Sequence, residues 1–488
     1  MNLENDYSRL PVTLYTPTKP VPVASPRLVK FNQALAAELG LEIAPGDPDH
    51  LARIFSGNET LPGSKPIALA YAGHQFGSFV PHLGDGRAVL LGEARDRRGV
   101  LKDIQLKGAG RTSYSRNGDG RAALGPVLRE YLVSEAMTAM GIPSTRSLAA
   151  VLTGERVRRG PTSLPGAILT RVASSHVRVG TFEYLAAQDD RDALRRLADY
   201  VIERHYPEAK IDEAPYRRLL DLVVDRQAFL MAQWMKVGFI HGVMNTDNTG
   251  VVGETIDYGP CAFMDAYVPE AVFSSIDERG RYSFSNQPAI AQWNLARFAE
   301  TLLPLLGSDQ SQAIALATES INVFSDKFQQ EWLQAMRSKL GLFQAQHEDG
   351  DLIKALLGVM HDAQADYTVT FTGLADYLTG DRSGRGVEKT LDAHPDFQAW
   401  LGRWRYRGTQ ESESLAARGD AMRQANPRYI PRNHRIEEVI AAATEGDFAP
   451  FEALLEVIVR PFDEQPNAAA YAVPPRPEQR VLETFCGT

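Results

Sequence analysis

The sequence predicts an α+β protein with two unequal parts, a strand-rich N-terminal part and a mostly helical C-terminal part, and three observations carry that prediction. From Ile67 to Leu106 short apolar runs alternate with turn residues, with Ala88–Ala94 and Leu101–Lys107 as the clearest strands. A second strand-like block occupies 144–180, and Gly166–Ala173 is its best segment. Beyond about residue 185 helical periodicities take over, beginning with Arg191–His205 and Pro215–Val237. The long helix over 215–237 delivers the chain to one polar stretch, His241-Gly242-Val243-Met244-Asn245-Thr246-Asp247-Asn248, with Asp257-Tyr258-Gly259 shortly after it.

Protein kinases carry H-R-D-x-x-x-x-N followed by D-F-G, in which the Asn and the second Asp hold the metal ions of ATP. His241 and Asn248 keep that spacing, and Asp257-Tyr258-Gly259 stands where D-F-G would. The place of the catalytic-loop Asp is taken by Val243, and a carboxylate reappears at Asp247. These motifs predict a protein-kinase-like bilobal fold with a changed base. An N-terminal extension would cover 1–60, and a β-rich N-lobe with a glycine-rich loop and an αC-type helix would cover 61–184. The helical C-lobe would follow over 185–460, and a Pro-rich tail would carry Cys486 over 461–488.

Taken in order, 1–60 mixes prolines with one helix-like run, Arg27 to Leu41, opened by Ser25-Pro26 as cap and first turn. Gly84-Asp85-Gly86-Arg87 precedes the first strong strand. Glycines there allow backbone N–H groups to approach phosphates, although most such pairs are only hairpin turns. The strand Asp103–Lys107 ends in a lysine flanked by glycine, the arrangement of a kinase phosphate-binding lysine and equally of a solvated strand end. Lys107-Gly108-Ala109-Gly110-Arg111 and Asn117-Gly118-Asp119-Gly120-Arg121 follow, and the absence of any G-K dipeptide excludes a Walker A loop. They lead into an amphipathic helix bearing Leu124, Val127, Leu128, Tyr131 and Leu132, ended by Gly141-Ile142-Pro143. Glu130 on that helix is the candidate partner of Lys107.

Arg171 and Arg178 lie near this glycine-rich region and suit polyphosphate oxygens, with ordinary surface ion pairs as the competing reading. His176 between them reads as structural. Further helices are predicted over Gln292–Leu306, Ser311–Leu340, Asp351–Gln364 and Ile436–Gly446, interrupted by a polar linker around Thr379–Arg385.

Composition narrows the class. An apolar share of 44% and a charged share of 23% are those of an ordinary globular protein. A net charge of −9 argues against a nucleic-acid footprint, although Arg156, Arg158 and Arg159 could face a small anion. No apolar run has the length of a membrane span and no signal peptide is evident, so a cytoplasmic protein without a membrane partner is expected. Two cysteines, Cys261 and Cys486, build neither a zinc ribbon nor a C-x-x-C pair. Cys261 reads as a small buried hydrophobe.

With Gly84-Asp85-Gly86-Arg87, Gln105-Leu106-Lys107-Gly108-Ala109-Gly110-Arg111-Thr112, the 241–248 stretch and Asp257-Tyr258-Gly259-Pro260 together, the chain closely resembles bacterial members of the selenoprotein O family over essentially its whole length. That resemblance implies a kinase-like fold that transfers AMP, not phosphate, from ATP to Ser, Thr or Tyr hydroxyls of proteins, its own among them, with Mg²⁺ or Mn²⁺ as cofactor. It also implies ATP bound in reverse, with the terminal phosphates buried. Carried over by position, Gly84, Gly86, Arg87, Asp119 and Gly120 would touch the nucleotide. Lys107 would hold phosphates, braced by Glu130, and Arg171 and Arg178 would hold the buried terminal phosphates. Asp247 would be the general base, and Asn248 with Asp257 would bind the metal. Cys486 occupies the place of the family's C-terminal selenocysteine or cysteine, and some relatives close a disulfide from it to a cysteine beyond the metal motif. Two other classes compete: a γ-phosphoryl kinase, disfavoured by Val243, and an inert nucleotide-binding scaffold, disfavoured by the retained Lys107, Asn248 and Asp257.

Overall fold

An antiparallel sheet of eight strands organises the N-terminal part in the computed structural model, which describes residues 2–41, 47–380, 387 and 389–485. The strands are β1 (Tyr15–Pro17), β2 (Arg27–Phe31), β3 (Ile67–Leu69), β6 (Ala88–Arg95), β7 (Leu101–Lys107), β8 (Ala122–Ala123), β9 (Arg146–Arg159) and β10 (Thr162–Ala173). Their order is β1-β3-β6-β7-β10-β9-β2, with β8 paired to β10. Two further strands, β4 (Gly73–Gln75) and β5 (Ser78–Val80), form a separate hairpin.

Side-chain alternation gives the sheet two different faces. Val89, Leu91, Ile104, Leu106, Ile168 and Val172 pack on the N-terminal helices α1 (Gln33–Glu38) and α2 (Pro48–Phe55). In the antiparallel register Lys107 stands opposite Leu169 and Gln105 opposite Arg171, so Gln105, Lys107 and Arg171 share the other face. Against it lies α3 (Leu124–Ala139).

Residues 27–41 depart from the predicted helix. Arg27–Phe31 is a strand on the open edge of β9, and the helix begins only at Gln33, where the Asn32 side chain accepts the Leu35 N–H at 3.0 Å. Leu28, Val29 and Phe31 are residues that a pleated edge accommodates well, and pairing there outweighs the Ser-Pro start signal. The N-terminal segment is therefore woven into the sheet through β1 and β2. The α3 helix differs in another way. Every residue from Val127 to Met137 is buried, because Asn433–Thr444 and Ala449–Ile458 cover the side that the sheet leaves open.

The helical part begins with α4 (Val179–Ala186), α5 (Arg191–His205) and α6 (Pro215–Val237), the last two with the predicted bounds. Short strands β11 (Phe239–Ile240) and β12 (Ala262–Phe263) pair and bracket the stretch between them. Next come α7 (Gln287–Leu306), α8 (Gln310–Asn322), α9 (Phe324–Lys339), α10 (Asp349–Asp362) and α11 (Tyr367–Thr379). The single helix predicted over 311–340 is thus two, broken at Val323, where Asn322, Val323 and Phe324 are all weak helix formers. Most of the predicted linker, 381–385, lies outside the described residues, as does Cys486. Among the described residues no helix is long and apolar enough to cross a membrane.

Near the end of the chain Thr484 docks back on the body. Its N–H donates to the Phe273 carbonyl at 2.6 Å, its carbonyl accepts from Ser275 N–H at 3.1 Å, and its hydroxyl donates to the Pro260 carbonyl at 2.5 Å. Cys261 beside that point is fully buried, and burial pushes its thiol up to about 12, which makes it a packing residue.

Gly238 ends α6 in the left-handed region, φ +73°, and a Cβ there would meet the Tyr367 ring at 3.1 Å. Gly238→Ala is expected to cost more than about 1 kcal/mol, read as a lower denaturant midpoint at unchanged m.

Candidate active site

Two loops and two strand ends converge on a cavity of ≈ 780 Å³, within the ~300–1,000 Å³ range of small-molecule sites. The loop after β11 is set by its own side chains. His241 stacks on Trp234, its Nε2 donates to the Ile256 carbonyl at 2.8 Å, and its Nδ1 accepts from Val243 N–H at 3.4 Å. Burial pushes its pKa down, so it is a neutral scaffold for the loop and not a catalytic acid. Asn248 donates from its amide nitrogen to the Val243 carbonyl at 2.9 Å, which leaves the amide oxygen for another partner.

The floor of the cavity is a buried ion cluster. Lys107, at the end of β7, places Nζ 2.7 Å from Glu130 on α3 and 2.9 Å from Asp257. Arg171 on β10 donates to Glu130 at 2.8 Å and to Asp257 at 2.7 Å. Arg178, at the start of α4, reaches Asp257 at 2.6 Å and the Asp247 carbonyl at 2.5 Å, and its guanidinium lies 4.7 Å from the Tyr71 ring centre. Burial alone would raise both carboxyls, but the cations prevail. Arg171, Lys107 and Arg178 hold Asp257 well below the usual carboxylate range, and Arg171 with Lys107 lowers Glu130. Three cations thus face two carboxylates. Asp257 achieves its triple contact from φ +64°, a conformation that a non-glycine residue rarely adopts and that is retained here at the centre of the cluster.

Asp247 sits apart from that cluster and behaves in the opposite way. Burial raises it to about 6, the Arg178 charge only partly offsetting this. Its Oδ1 is buried without a hydrogen-bond partner, while Oδ2 accepts a long 3.4 Å contact from Gln75. A raised pKa is what a general base near neutrality requires.

The cavity walls supply positive charge. Nine Lys or Arg side chains line it against five carboxylates, in a chain whose net charge is −9. Gly84, at φ +71°, has no room for a Cβ against the Tyr114 ring, so that turn approaches its neighbour as only glycine can. Gly86, Arg87 and Gly120 also line the cavity. Asp119 is at the rim, half-exposed, accepting from Arg159 at 2.9 Å and from Arg121 N–H at 2.9 Å. Every sequence-predicted site residue therefore borders one cavity, and the surface-pair reading of Arg171 and Arg178 is overturned by their burial.

Sequence reasoning missed the β4–β5 hairpin. Its Gly73-His74-Gln75-Phe76-Gly77 run lies across the 241–248 loop: His74 N–H donates to Thr246 Oγ1 at 2.7 Å, and Phe76 N–H to Asn245 Oδ1 at 3.0 Å. A Cβ at Gly73 would meet Asp247 Oδ1 at 2.6 Å. Two glycines bracketing His74, Gln75 and Phe76 were the available signal. Asp85 was also given no role; it is buried below the cavity, accepting from Gln105 at 3.1 Å.

The Mg²⁺ or Mn²⁺ that the family resemblance implies fits the donors present. Among the described residues no cluster of three His, Cys, Asp or Glu side chains offers an all-protein cage. Asn248 and Asp257 instead contribute one amide oxygen and one carboxylate to the cavity, the kind of partial oxygen set that a hard cation completes with phosphate and water.

Comparison with known proteins agrees with this geometry. Residues 1–459 match the family profile described as protein adenylyltransferase SelO. The chain is 57% identical over 486 residues to the protein nucleotidyltransferase YdiU of Rhizobium rhizogenes strain K84, covering 99% of this chain and 96% of that protein. It is 58% identical over 486 residues to the YdiU protein of Bradyrhizobium sp. strain BTAi1, covering 99% of each. A match of that extent leaves one assignment: the chain belongs to the SelO family of protein adenylyltransferases and is a nucleotidyltransferase.

Proposed function

We propose that the enzyme binds ATP with its terminal phosphates on the buried cationic floor and moves AMP to Ser, Thr or Tyr hydroxyls of protein substrates, including its own. The observation that carries this reading is that floor. Lys107, Arg171 and Arg178 converge at the deep end of the cavity with one positive charge more than the two carboxylates neutralise. A dense polyphosphate end fits there better than an adenine ring would. The glycine-rich turn at Gly84 and Gly86, with Arg87, Asp119 and Gly120, would border the rest of the nucleotide. The two parts of the chain would then be lobes of a protein-kinase-like fold, with Lys107 and Glu130 as its lysine–glutamate pair.

In the reaction an acceptor hydroxyl oxygen attacks the α-phosphorus, the bond from that phosphorus to the bridging oxygen breaks, and pyrophosphate leaves. Asp247 takes the hydroxyl proton. Lys107 and the two arginines stay fixed to balance charge on the departing pyrophosphate. Asn248 and Asp257 would hold Mg²⁺ or Mn²⁺, which when bound supplies charge neutralisation at the phosphates. Val243, buried and apolar at the position where a phosphoryl-transferring kinase keeps its base, favours this reading over a γ-phosphoryl kinase.

Parallel incubations with ATP labelled at the α- or the γ-phosphate test it, with Mg²⁺ or Mn²⁺, a cell extract and an Asp257→Ala control. Label entering protein from the α-position alone, and lost in the control, is the expected result. Entry from the γ-position alone would make the enzyme a kinase, and nucleotide binding with no transfer would make it a scaffold.

A further inference from the structure

The β4–β5 hairpin joins the candidate base to a cationic and aromatic surface that the nucleotide chemistry leaves unused. Its turn is Phe76-Gly77, with φ values of +51° and +86°, the left-handed pair that a two-residue hairpin turn needs. Phe76 pays for that conformation with a clamp: its N–H reaches Asn245 Oδ1 and the Tyr282 hydroxyl at 3.0 and 3.1 Å, and the two rings lie 5.1 Å apart. The inner side chain, Gln75, contacts Asp247.

On the outer side Arg281 spreads its guanidinium against Gly77, where a Cβ would stand 3.4 Å from Cζ. The same guanidinium lies 4.9 Å from the Trp293 ring centre, and Arg297 lies 5.0 Å from it. His74 meets Trp293 edge-on at 5.2 Å. Arg297 is ion-paired to Glu300 and His74 to Glu183. Arg281 differs from both in having no carboxylate within ion-pair distance among the described residues; its Nε, like that of Arg297, is buried without a hydrogen-bond partner, and its guanidinium also hydrogen-bonds the Tyr282 side chain. Two large apolar side chains on the segments that Arg281 bridges are exposed, Phe79 on β5 at 42% and Ile276 at the cavity mouth at 55%.

We propose that this surface is the docking site for the acceptor segment of a protein substrate, and that it selects an Asp or Glu next to an apolar or aromatic residue. The charge decides the class. A guanidinium over a tryptophan ring with no carboxylate at ion-pair distance is complementary to an acidic side chain. Phe79 and Ile276 supply the apolar contact beside it. The surface lies across the hairpin from Asp247, so a segment seated there enters the cavity from the side of the base. This inference rests on the AMP-transfer reading for its meaning, not for its geometry.

The test uses two synthetic peptides with one Ser acceptor, one carrying Glu-Phe beside it and the other Lys-Ser, with wild type, Arg281→Glu, Arg281→Gln and Phe79→Ser enzymes. With α-labelled ATP, wild type is expected to show a KM for the acidic peptide lower by about tenfold. Arg281→Glu should reverse the preference, Arg281→Gln should abolish it, and the KM for ATP should stay unchanged. Equal KM values in wild type, or a preference that survives Arg281→Glu in a variant with a wild-type melting curve, overturn the proposal. If neither peptide takes label while proteins of the extract do, or if AMP transfer itself fails there, fluorescence anisotropy of the labelled peptides decides the surface. Tighter binding of the acidic peptide that is lost in Arg281→Gln and weakened in Phe79→Ser supports it, and no difference overturns it.

Discussion

Replacing Asp257 by alanine is expected to abolish nucleotide transfer and to destabilise the fold by about 3–5 kcal/mol, the range for removing one partner of a buried ion network. The side chain is the common acceptor for Lys107, Arg171 and Arg178 at 2.9, 2.7 and 2.6 Å. Without it Lys107 and Arg171 compete for Glu130, and Arg178 keeps only the Asp247 carbonyl and the Tyr71 ring. Asp257→Asn separates charge from shape and should lose transfer equally while recovering part of the stability. Added ATP without divalent metal should raise the melting temperature more in Asp257→Ala than in wild type, because phosphate replaces the missing negative charge. An alanine variant as stable as wild type would show that solvent already screens the three cations. The pH dependence has a defined sign. The folded pKa of Asp257 is depressed, so its stabilisation is present above the ordinary carboxylate value of about 4 and is lost as pH falls below it toward the folded value. Acid unfolding of wild type should therefore steepen below about pH 4, and that component should be missing in Asp257→Ala.

The second large effect belongs to Asp247. Asp247→Asn is expected to lower transfer by about 10²–10⁴-fold with ATP affinity nearly unchanged, since the side chain serves the acceptor hydroxyl and not the phosphates. In wild type the rate should rise with pH through a limb centred at about 6 and flatten above it. The variant should lack that limb. Stability should move the other way. The folded pKa is raised, so the charged carboxylate is a penalty that is absent below about 4 and fully present above about 6. Asp247→Asn should then be more stable than wild type at pH 8 and no more stable at pH 4, as read from denaturant midpoints. A protein that keeps a destabilising group at its site is the common stability–activity compromise.

Much of this site was legible because its chemistry is written in local spacing. His241 to Asn248 and Asp257 to Gly259 are contiguous, and the kinase pairing of a strand-end lysine with a glutamate on the following helix brought Lys107 and Glu130 together as candidates. What was hidden depends on contacts between distant segments. The hairpin at 73–80 reads as an ordinary turn until Asn245 and Tyr282, about 170 and 206 residues away, hold Phe76 in place. The strand at Arg27–Phe31 was lost for the same reason, since only the free edge of β9 converts a weak helix signal into a strand. Arg171 and Arg178 could be named but not weighed, because their burial comes from packing between α3, β10 and α4.

The docking of Thr484 has a consequence for the order in which the protein is made. Its partners, Pro260, Phe273 and Ser275, are 224, 211 and 209 residues earlier and lie just beyond Asp257. During synthesis, N-terminal segments emerge from the ribosome first, at ~5–20 residues per second, and can begin to fold while later ones are still being added. The sheet and the 241–248 loop can then form on the ribosome, but the segment that carries Ile276 stays without this tie until Thr484 has been added and has cleared the exit tunnel. Completion of this wall is thus a late event of folding, and a chain stalled before Thr484 would carry the ion cluster without that tie.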